Sequence, residues 1–280
     1  MIIMNPTDLN HLLRPNVSIF VLGIYLIAFL AIDAPLSLPY MLLVPVFIMV
    51  CSASITFNHY CDYESDRKSR QIYRFPVASG KVSKGTALAT SIILMIMPAA
   101  VAYVFLPAAV FYLVLFSDFM IIAYSARPLR IKERPYLETI WNGLGYGTLP
   151  FYIVALAAGK EITLNMHTLG LIPFLVASSG HILLQVRDID DDKKGRVRTT
   201  STRLGLKKMV ALSKIFVLLA GATIAYLALA GFLNYFAWFA LATGAIIYLE
   251  HRKMKNVEKS YPRLMAAYAV AGIFFFISLV

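Results

Sequence analysis

Cysteine is nearly absent from this 280-residue sequence, and the two that occur, Cys51 and Cys61, match no zinc or redox spacing. A disulfide framework is excluded on that count. Charge is scarce too: Asp, Glu, Lys and Arg make up 15% of the chain, against roughly 25% in a soluble domain. Phosphate-binding Walker loops, dinucleotide-binding glycine fingerprints and nucleophile triads are missing. So are linkers and low-complexity segments, and residues 1–280 read as a single domain. Arg14 precedes an apolar run with no small-residue cleavage pattern after it, so the run reads as a retained first helix rather than a signal peptide.

What the chain has in quantity is apolar sequence. Hydrophobic residues make up 59% and the mean hydropathy is +0.71. A membrane-spanning helix needs about 20 apolar residues. Runs of that kind cover 15–32, 39–61, 84–105, 107–125, 137–158, 167–187, 207–230, 233–250 and 262–280. The expectation is an all-α integral membrane protein with about nine transmembrane helices.

The charge that remains is strongly placed. The formal charge of +11 does not point to nucleic acid, because 24 of the 26 bases lie at Arg14 or in four segments, Arg67–Lys84, Arg127–Arg134, Arg187–Lys208 and Arg252–Arg263. By the positive-inside rule the N-terminus and those segments face the cytosol. The expected location is the plasma membrane of a prokaryote.

Two of the basic segments begin with acids in the same order. Asp62-Tyr-Glu64-Ser-Asp66-Arg67-Lys68-Ser-Arg70 and Asp188-Ile-Asp190-Asp-Asp192-Lys193-Lys194-Gly-Arg196 both read Asp-x-acid-x-Asp-base-Lys-x-Arg, 126 residues apart. Asn58, Asp62 and Asp66 follow i, i+4, i+8 and share one face of a helix. Asp188 and Asp192 repeat the i, i+4 step, with Asp190 turned elsewhere. Carboxylates at a membrane boundary are functional suspects, and oxygen donors beside phosphate-seeking bases suit magnesium. A plain alternative is a solvated acidic cap balanced by Arg67, Lys68 and Arg70. The second copy argues against it, since two carboxylate pairs can hold two or three divalent ions around one diphosphate. An ancient duplication and convergent ligand demand explain the agreement equally well.

Other candidates surround these motifs. Arg74, in the Pro- and Gly-marked loop after Asp66, has the forked geometry that grips phosphate oxygens. Asp118, Tyr124, Ser125 and Lys132 are polar groups in or just beyond the fourth run. Trp141, Asn142 and Tyr146 lie among Gly143, Gly145 and Gly147, which permit close packing or local unwinding. His181 and Gln185 precede Asp188 on its own face, and Arg187, Lys193, Lys194, Arg196 and Arg198 keep the acids ionised.

With these pieces assembled, the sequence resembles the UbiA superfamily of intramembrane prenyltransferases. The resemblance rests on Asn58-x-x-x-Asp62-x-x-x-Asp66, Arg74-x-Pro76-x-x-Ser79-Gly80, Tyr124-Ser125-x-x-Pro128-Leu-Arg130-x-Lys132, Asp188-x-x-x-Asp192, and Thr199-Thr200-x-x-Arg203-Leu-Gly205. It implies a bundle around a central cavity open sideways to the bilayer, with a cytosolic cap formed by loops at about 62–83 and 188–206. It also implies magnesium-dependent transfer of an isoprenyl chain, geranylgeranyl or farnesyl for example, from its diphosphate to a lipophilic acceptor. An aromatic or quinone precursor is the first acceptor considered, and a glycerol-phosphate lipid of the archaeal ether-lipid type is its rival. Asn58, Asp62, Asp66, Asp188 and Asp192 are then the metal ligands. Arg74, Lys132, Arg198, Tyr124 and Ser125 hold the diphosphate or the prenyl head, and Asp118 or His181 orients the acceptor or takes its proton. The chain departs from the family pattern at His59, where many members have Asp, and at Leu184, where Asn is common; Gln185 or His181 can compensate for the second. A divalent-cation transporter is the reading from a different class, and bases beside the acids suit it poorly. A CDP-alcohol phosphotransferase would need an Asp-Gly-x-x-Ala-Arg opening that this chain lacks.

Overall fold

A computed structural model describes residues 6–32, 37–68, 72–195, 198–252 and 257–279. Among them the regular structure is entirely helical, and each of the nine apolar runs forms helix. Arg70 and Arg196, which close the two acidic copies, lie outside the described residues.

The chain divides into two compact units: Met1–Leu22, Pro35–Lys132 and Leu156–Gly159 in one, and Gly23–Ala34, Glu133–Ala155 and Lys160–Val280 in the other. The first unit opens with α1 (Pro6–Leu13), an amphipathic helix, followed by the start of α2 (Ser18–Ala31). Next come α3 (Leu38–Cys61) and the single turn α4 (Tyr63–Asp66). A loop leads to α5 (Lys84–Phe105), whose N-cap Ser83 accepts the Thr86 N–H at 3.0 Å, and then to α6 (Ala108–Ser125). Pro107 separates α5 from α6: it cannot donate to a preceding helix turn and suits the start of the next. Ala53 of α3, Met95 of α5 and Ile121 of α6 form one apolar cluster. Leu12 of α1 forms another with Val77, Val82 and Ala87.

The second unit contains α7 (Leu137–Gly143), a π-helical turn over Leu144–Thr148, and α8 (Leu149–Ala157). It continues with α9 (Leu164–Gly195), α10 (Thr200–Leu229), α11 (Phe236–Arg252) and α12 (Val257–Ile277). Ile182, Leu183 and Val186 of α9 pack with Met209, Val217, Ile247 and Leu264 from the three following helices. The glycines of the fifth run do both things expected of them. The helix loosens into the π turn, and α9 comes so close that a methyl group at Gly143 would lie 2.1 Å from Ser178 Oγ. At Gly147 it would lie 2.5 Å from the Pro173 carbonyl oxygen.

Among the described residues five helices are long and apolar enough to cross a membrane, in α3, α5, α6, α9 and α10; the bent pair α1 and α2 makes a sixth if counted as one span. Large apolar side chains such as Ile93, Ile96, Phe119, Leu218 and Phe239 are exposed. For a chain with these spans that surface is lipid-facing, and the protein is integral to a membrane.

Candidate active site: two acidic motifs

In the first unit the i, i+4, i+8 set survives an interruption. The helix α3 ends at Cys61 because Asp62 leaves helical geometry (φ −95°, ψ 6°), so the three residues do not share one unbroken helix. Even so, the Asp62 N–H donates to the Asn58 carbonyl and the Asp66 N–H to that of Asp62, each at 2.8 Å, which preserves the helical spacing.

Asn58 and Asp62 converge on cations brought from far along the chain. Lys132 Nζ donates to Asn58 Oδ1 at 2.8 Å and pairs with Asp62 Oδ1. Arg130 donates to Asp62 Oδ1 at 3.1 Å and to the Ser125 carbonyl at 3.0 Å. Ser125 Oγ donates to Asn58 Oδ1 at 3.1 Å. Side chains of Asp62, Arg130 and Lys132 are only 13%, 16% and 11% exposed, so these pairs are poorly screened by water. Arg130 is quoted in the sequence motif but was given no role there; it reaches inward from a backbone with φ +39°. Its signal was present, an Arg two positions from Lys132 in the loop that follows Tyr124-Ser125.

Asp66 stands apart from that cluster. Burial pushes its carboxyl above the usual range, the neighbouring Asp62 charge adds to the rise, and His59 and Lys132 oppose it. His59 Nδ1 lies 3.8 Å from Asp66 Oδ2, too long for a hydrogen bond, and both buried ring nitrogens lack a hydrogen-bond partner. Arg74 is exposed on a single 3₁₀ turn, with its guanidinium 5.9 Å from the Tyr73 ring. Tyr124 is half-buried one residue before Ser125. Asp118 lines a hollow of about 300 Å³ between α5 and α6 with Met95, Ile96, Tyr103 and Leu115. It sits seven residues before Ser125, roughly 10 Å along the helix, and its Oδ1 has no hydrogen-bond partner.

In the second unit the acids ride on one continuous helix, α9. Asp188 is half exposed and paired with its own neighbour, Arg187, at 2.8 and 3.1 Å. Asp192 Oδ2 accepts the Thr199 hydroxyl at 3.2 Å. Arg198 is exposed. One and two turns below Asp188, Gln185 Nε2 lies 2.6 Å from His181 Nε2, and Asn142 Nδ2 lies 3.4 Å from the same nitrogen. Asn142 Nδ2 also donates to the Glu138 carbonyl at 2.8 Å. Glu138, buried and carrying an ionisable group, is absent from the sequence-derived set.

The donor chemistry fits magnesium. Asn58 Oδ1 and Asp62 Oδ1 already meet around one positive charge, the Lys132 ammonium, so they can share a hard cation. Among the described residues no three His, Cys, Asp or Glu side chains converge on a point.

Comparison with known proteins bears on the family and the fold. The model of the UbiA prenyltransferase family matches residues 17–280. The chain belongs to that family. A digeranylgeranylglyceryl phosphate synthase from Thermococcus gammatolerans is 30% identical over 179 residues, 62% of this chain and 61% of the relative. A lycopene elongase/hydratase from Corynebacterium glutamicum is 30% identical over 165 residues, 58% of this chain and 57% of the relative. The chain thus spans about three fifths of the length of each of these two relatives. A UbiA homologue from Archaeoglobus fulgidus, solved bound to GPP and Mg2+, superposes with a TM-score of 0.76 at 19% identity, covering 97% of this chain and 99% of that one. The UbiA fold accounts for nearly every residue.

Proposed function

We propose that this UbiA-family protein transfers an isoprenyl chain from its diphosphate to the hydroxyl of a glycerol-phosphate lipid. The observation that carries the reaction class is the convergence of Asn58, Asp62, Ser125, Arg130 and Lys132 on one buried point, with two carboxamide or carboxylate oxygens and two fixed cations. For the acceptor, a digeranylgeranylglyceryl phosphate synthase among the relatives favours the glycerol-phosphate lipid over the aromatic or quinone precursor placed first on sequence grounds. The lycopene elongase/hydratase makes a carotenoid the second acceptor to test. Family membership, together with cations seated on the acids, speaks against the cation transporter.

In this reading Asn58, Asp62 and Asp66, with Asp188 and Asp192, hold magnesium, two or three ions in all. Bound there, magnesium supplies positive charge that offsets the charge of the diphosphate. Lys132 and Arg130 neutralise phosphate oxygens beside the same carboxylates, and Arg74 and Arg198 add guanidinium contacts from the loops. Tyr124 and Ser125 hold the diphosphate or the prenyl head. Such preorganised charge stabilises the departing diphosphate as the allylic carbon–oxygen bond breaks and its electron pair leaves with the phosphate oxygen. The apolar surroundings exclude water, so the carbon is captured by the acceptor hydroxyl, which forms the new carbon–oxygen bond and loses its proton. Asp118, with an unpartnered oxygen, and His181 are the candidates to orient the acceptor or take that proton. We further propose that both units act as one catalytic domain of about nine spans, with the N-terminus and both acidic sets on the cytosolic side of a prokaryotic plasma membrane.

The test supplies radiolabelled geranylgeranyl and farnesyl diphosphates to the purified protein in lipid with a glycerol-phosphate lipid, an aromatic acid and a carotenoid. A labelled ether lipid that requires magnesium supports the proposal. A product with another acceptor alone replaces the acceptor, and no product with any, combined with metal uptake into reconstituted liposomes, replaces the enzyme by the transporter.

A further inference from the structure

Glu138 is only 1% exposed at the start of α7, where a carboxylate is costly unless something holds it. What holds it is chiefly the first residue of another helix, with the Gln185 side chain of α9 as a further hydrogen-bond partner. Glu138 Oε1 accepts both the backbone N–H and the hydroxyl of Thr200, which opens α10. The Tyr136 N–H donates to the same Thr200 hydroxyl at 2.7 Å, so that oxygen both gives and receives. One peptide away, Thr199 is the N-cap of α10: its hydroxyl accepts the Thr202 N–H, and the Thr202 hydroxyl accepts the Thr199 N–H at 3.0 Å. The same Thr199 hydroxyl donates to Asp192 Oδ2.

These contacts form one line, from Glu138 to Thr200, through a peptide unit to Thr199, and on to Asp192. The first turn of α10 cannot lean on the rest of its helix. Gly205 adopts φ +75° and ψ 167°, which breaks the helical hydrogen-bond run five residues after Thr200. That turn is therefore held by its capping box and by Glu138. A negative charge beside the amide-rich start of a helix is also the favourable sign.

We propose that Glu138 is a positioning residue that fixes Asp192 through the Thr199-Thr200 start of α10. The proposal rests on the reading of Asp192 as a magnesium ligand. Glu138 acts through Thr200 and touches neither substrate nor metal. Its carboxylate matters as a double acceptor, so a glutamine, whose amide oxygen accepts two hydrogen bonds in the same place, should replace it well, whereas alanine should not.

The test uses the full chain in lipid nanodiscs and three variants, E138A, E138Q and T199V. Hydrogen–deuterium exchange over residues 198–206, without metal or substrate, reads the start of α10. Electron paramagnetic resonance of Mn2+, added with geranylgeranyl thiolodiphosphate, reads the ligand set apart from turnover. Removing a residue that orients a ligand typically weakens metal binding about tenfold or more. E138A should raise exchange over 198–206 and weaken Mn2+ binding by that factor, and E138Q should restore both. T199V should weaken Mn2+ binding while the Thr200 amide, held by Glu138, stays protected and faster exchange is confined to Thr202, which loses its cap acceptor. Faster exchange in E138A with unchanged Mn2+ affinity makes Glu138 merely structural and overturns the proposal. Weaker Mn2+ binding with unchanged exchange makes Glu138 a ligand and overturns it as well. If E138A does not fold, E138Q and T199V decide: equal Mn2+ affinity in T199V and the parent chain refutes the link. A parent chain that binds no Mn2+ with the analogue refutes the magnesium reading itself, and the exchange data then show separately whether Glu138 holds α10.

Discussion

The two acidic motifs share a sequence pattern and differ in how the fold treats them. In the first, Asp62 is mostly buried and its partners are Arg130 and Lys132, 68 and 70 positions away. In the second, Asp188 is half exposed and its partner is Arg187, the adjacent residue. A buried pair formed across the fold ties the local geometry to tertiary structure, and breaking it leaves a charge stranded. An exposed pair between neighbours in water is worth about 0–1 kcal/mol. The same letters thus encode a rigid arrangement in one unit and an adjustable one in the other, where order comes from Thr199 and the network behind it.

Substitutions at four positions would sharpen or break that contrast. The largest effect belongs to Asp62→Ala, which removes a proposed ligand and strands two buried cations; kcat for prenyl transfer should fall by about 10³-fold or more. Activity at the parent rate would end the claim that the first motif is the rigid one. Next, Lys132→Ala should lower kcat by about 10²-fold, and Lys132→Arg should recover little of it, because a planar fork does not replace a compact ammonium between Asn58 and Asp62. Gly143→Ala tests the close contact between α7 and α9 that supports the second motif. Its methyl group has no room beside Ser178, and overpacking of this kind costs about 1–3 kcal/mol, read as a lower midpoint of thermal unfolding in detergent. The smallest effect belongs to Arg187→Ala, which should change stability by no more than about 1 kcal/mol, read as a midpoint close to that of the parent. A larger loss would show that the Arg187–Asp188 pair is structural and that the two motifs are more alike than their burial suggests.

The helices were legible because apolar run length is a local property. The predicted ends at 61 and 125 coincide with the ends of α3 and α6, and the predicted start at 207 falls just after the break at Gly205. Ser125 and Lys132 were legible as companions of Asn58 for a different reason: they sit in a motif that resembles a family pattern. Arg130 stands in the same motif but took no role from it, and Glu138 stands in no motif; what shows the importance of either is a contact made across the fold. Glu138 did carry a signal, a lone acid opening an apolar run with Asn142 one turn on. It was hidden by its position near the basic segment ending at Arg134, where an acid reads as loop. The helical face expected to carry Asn58, Asp62 and Asp66 beyond the apolar run is interrupted for a local reason, the conformation of Asp62.

Lys132, seated between Asn58 and Asp62, gives the protein a tethered counter-ion. The carboxylate is already neutralised, so a free divalent cation must compete with an ammonium that cannot diffuse away. Diphosphate changes the exchange, because it offers the ammonium a new anion within reach of its flexible stem. The first acidic motif should therefore discriminate against metal that arrives without diphosphate, and Mn2+ binding isotherms with and without inorganic diphosphate should separate in the parent chain and draw together in Lys132→Ala. A cell rich in free magnesium would then not fill the site ahead of its substrate.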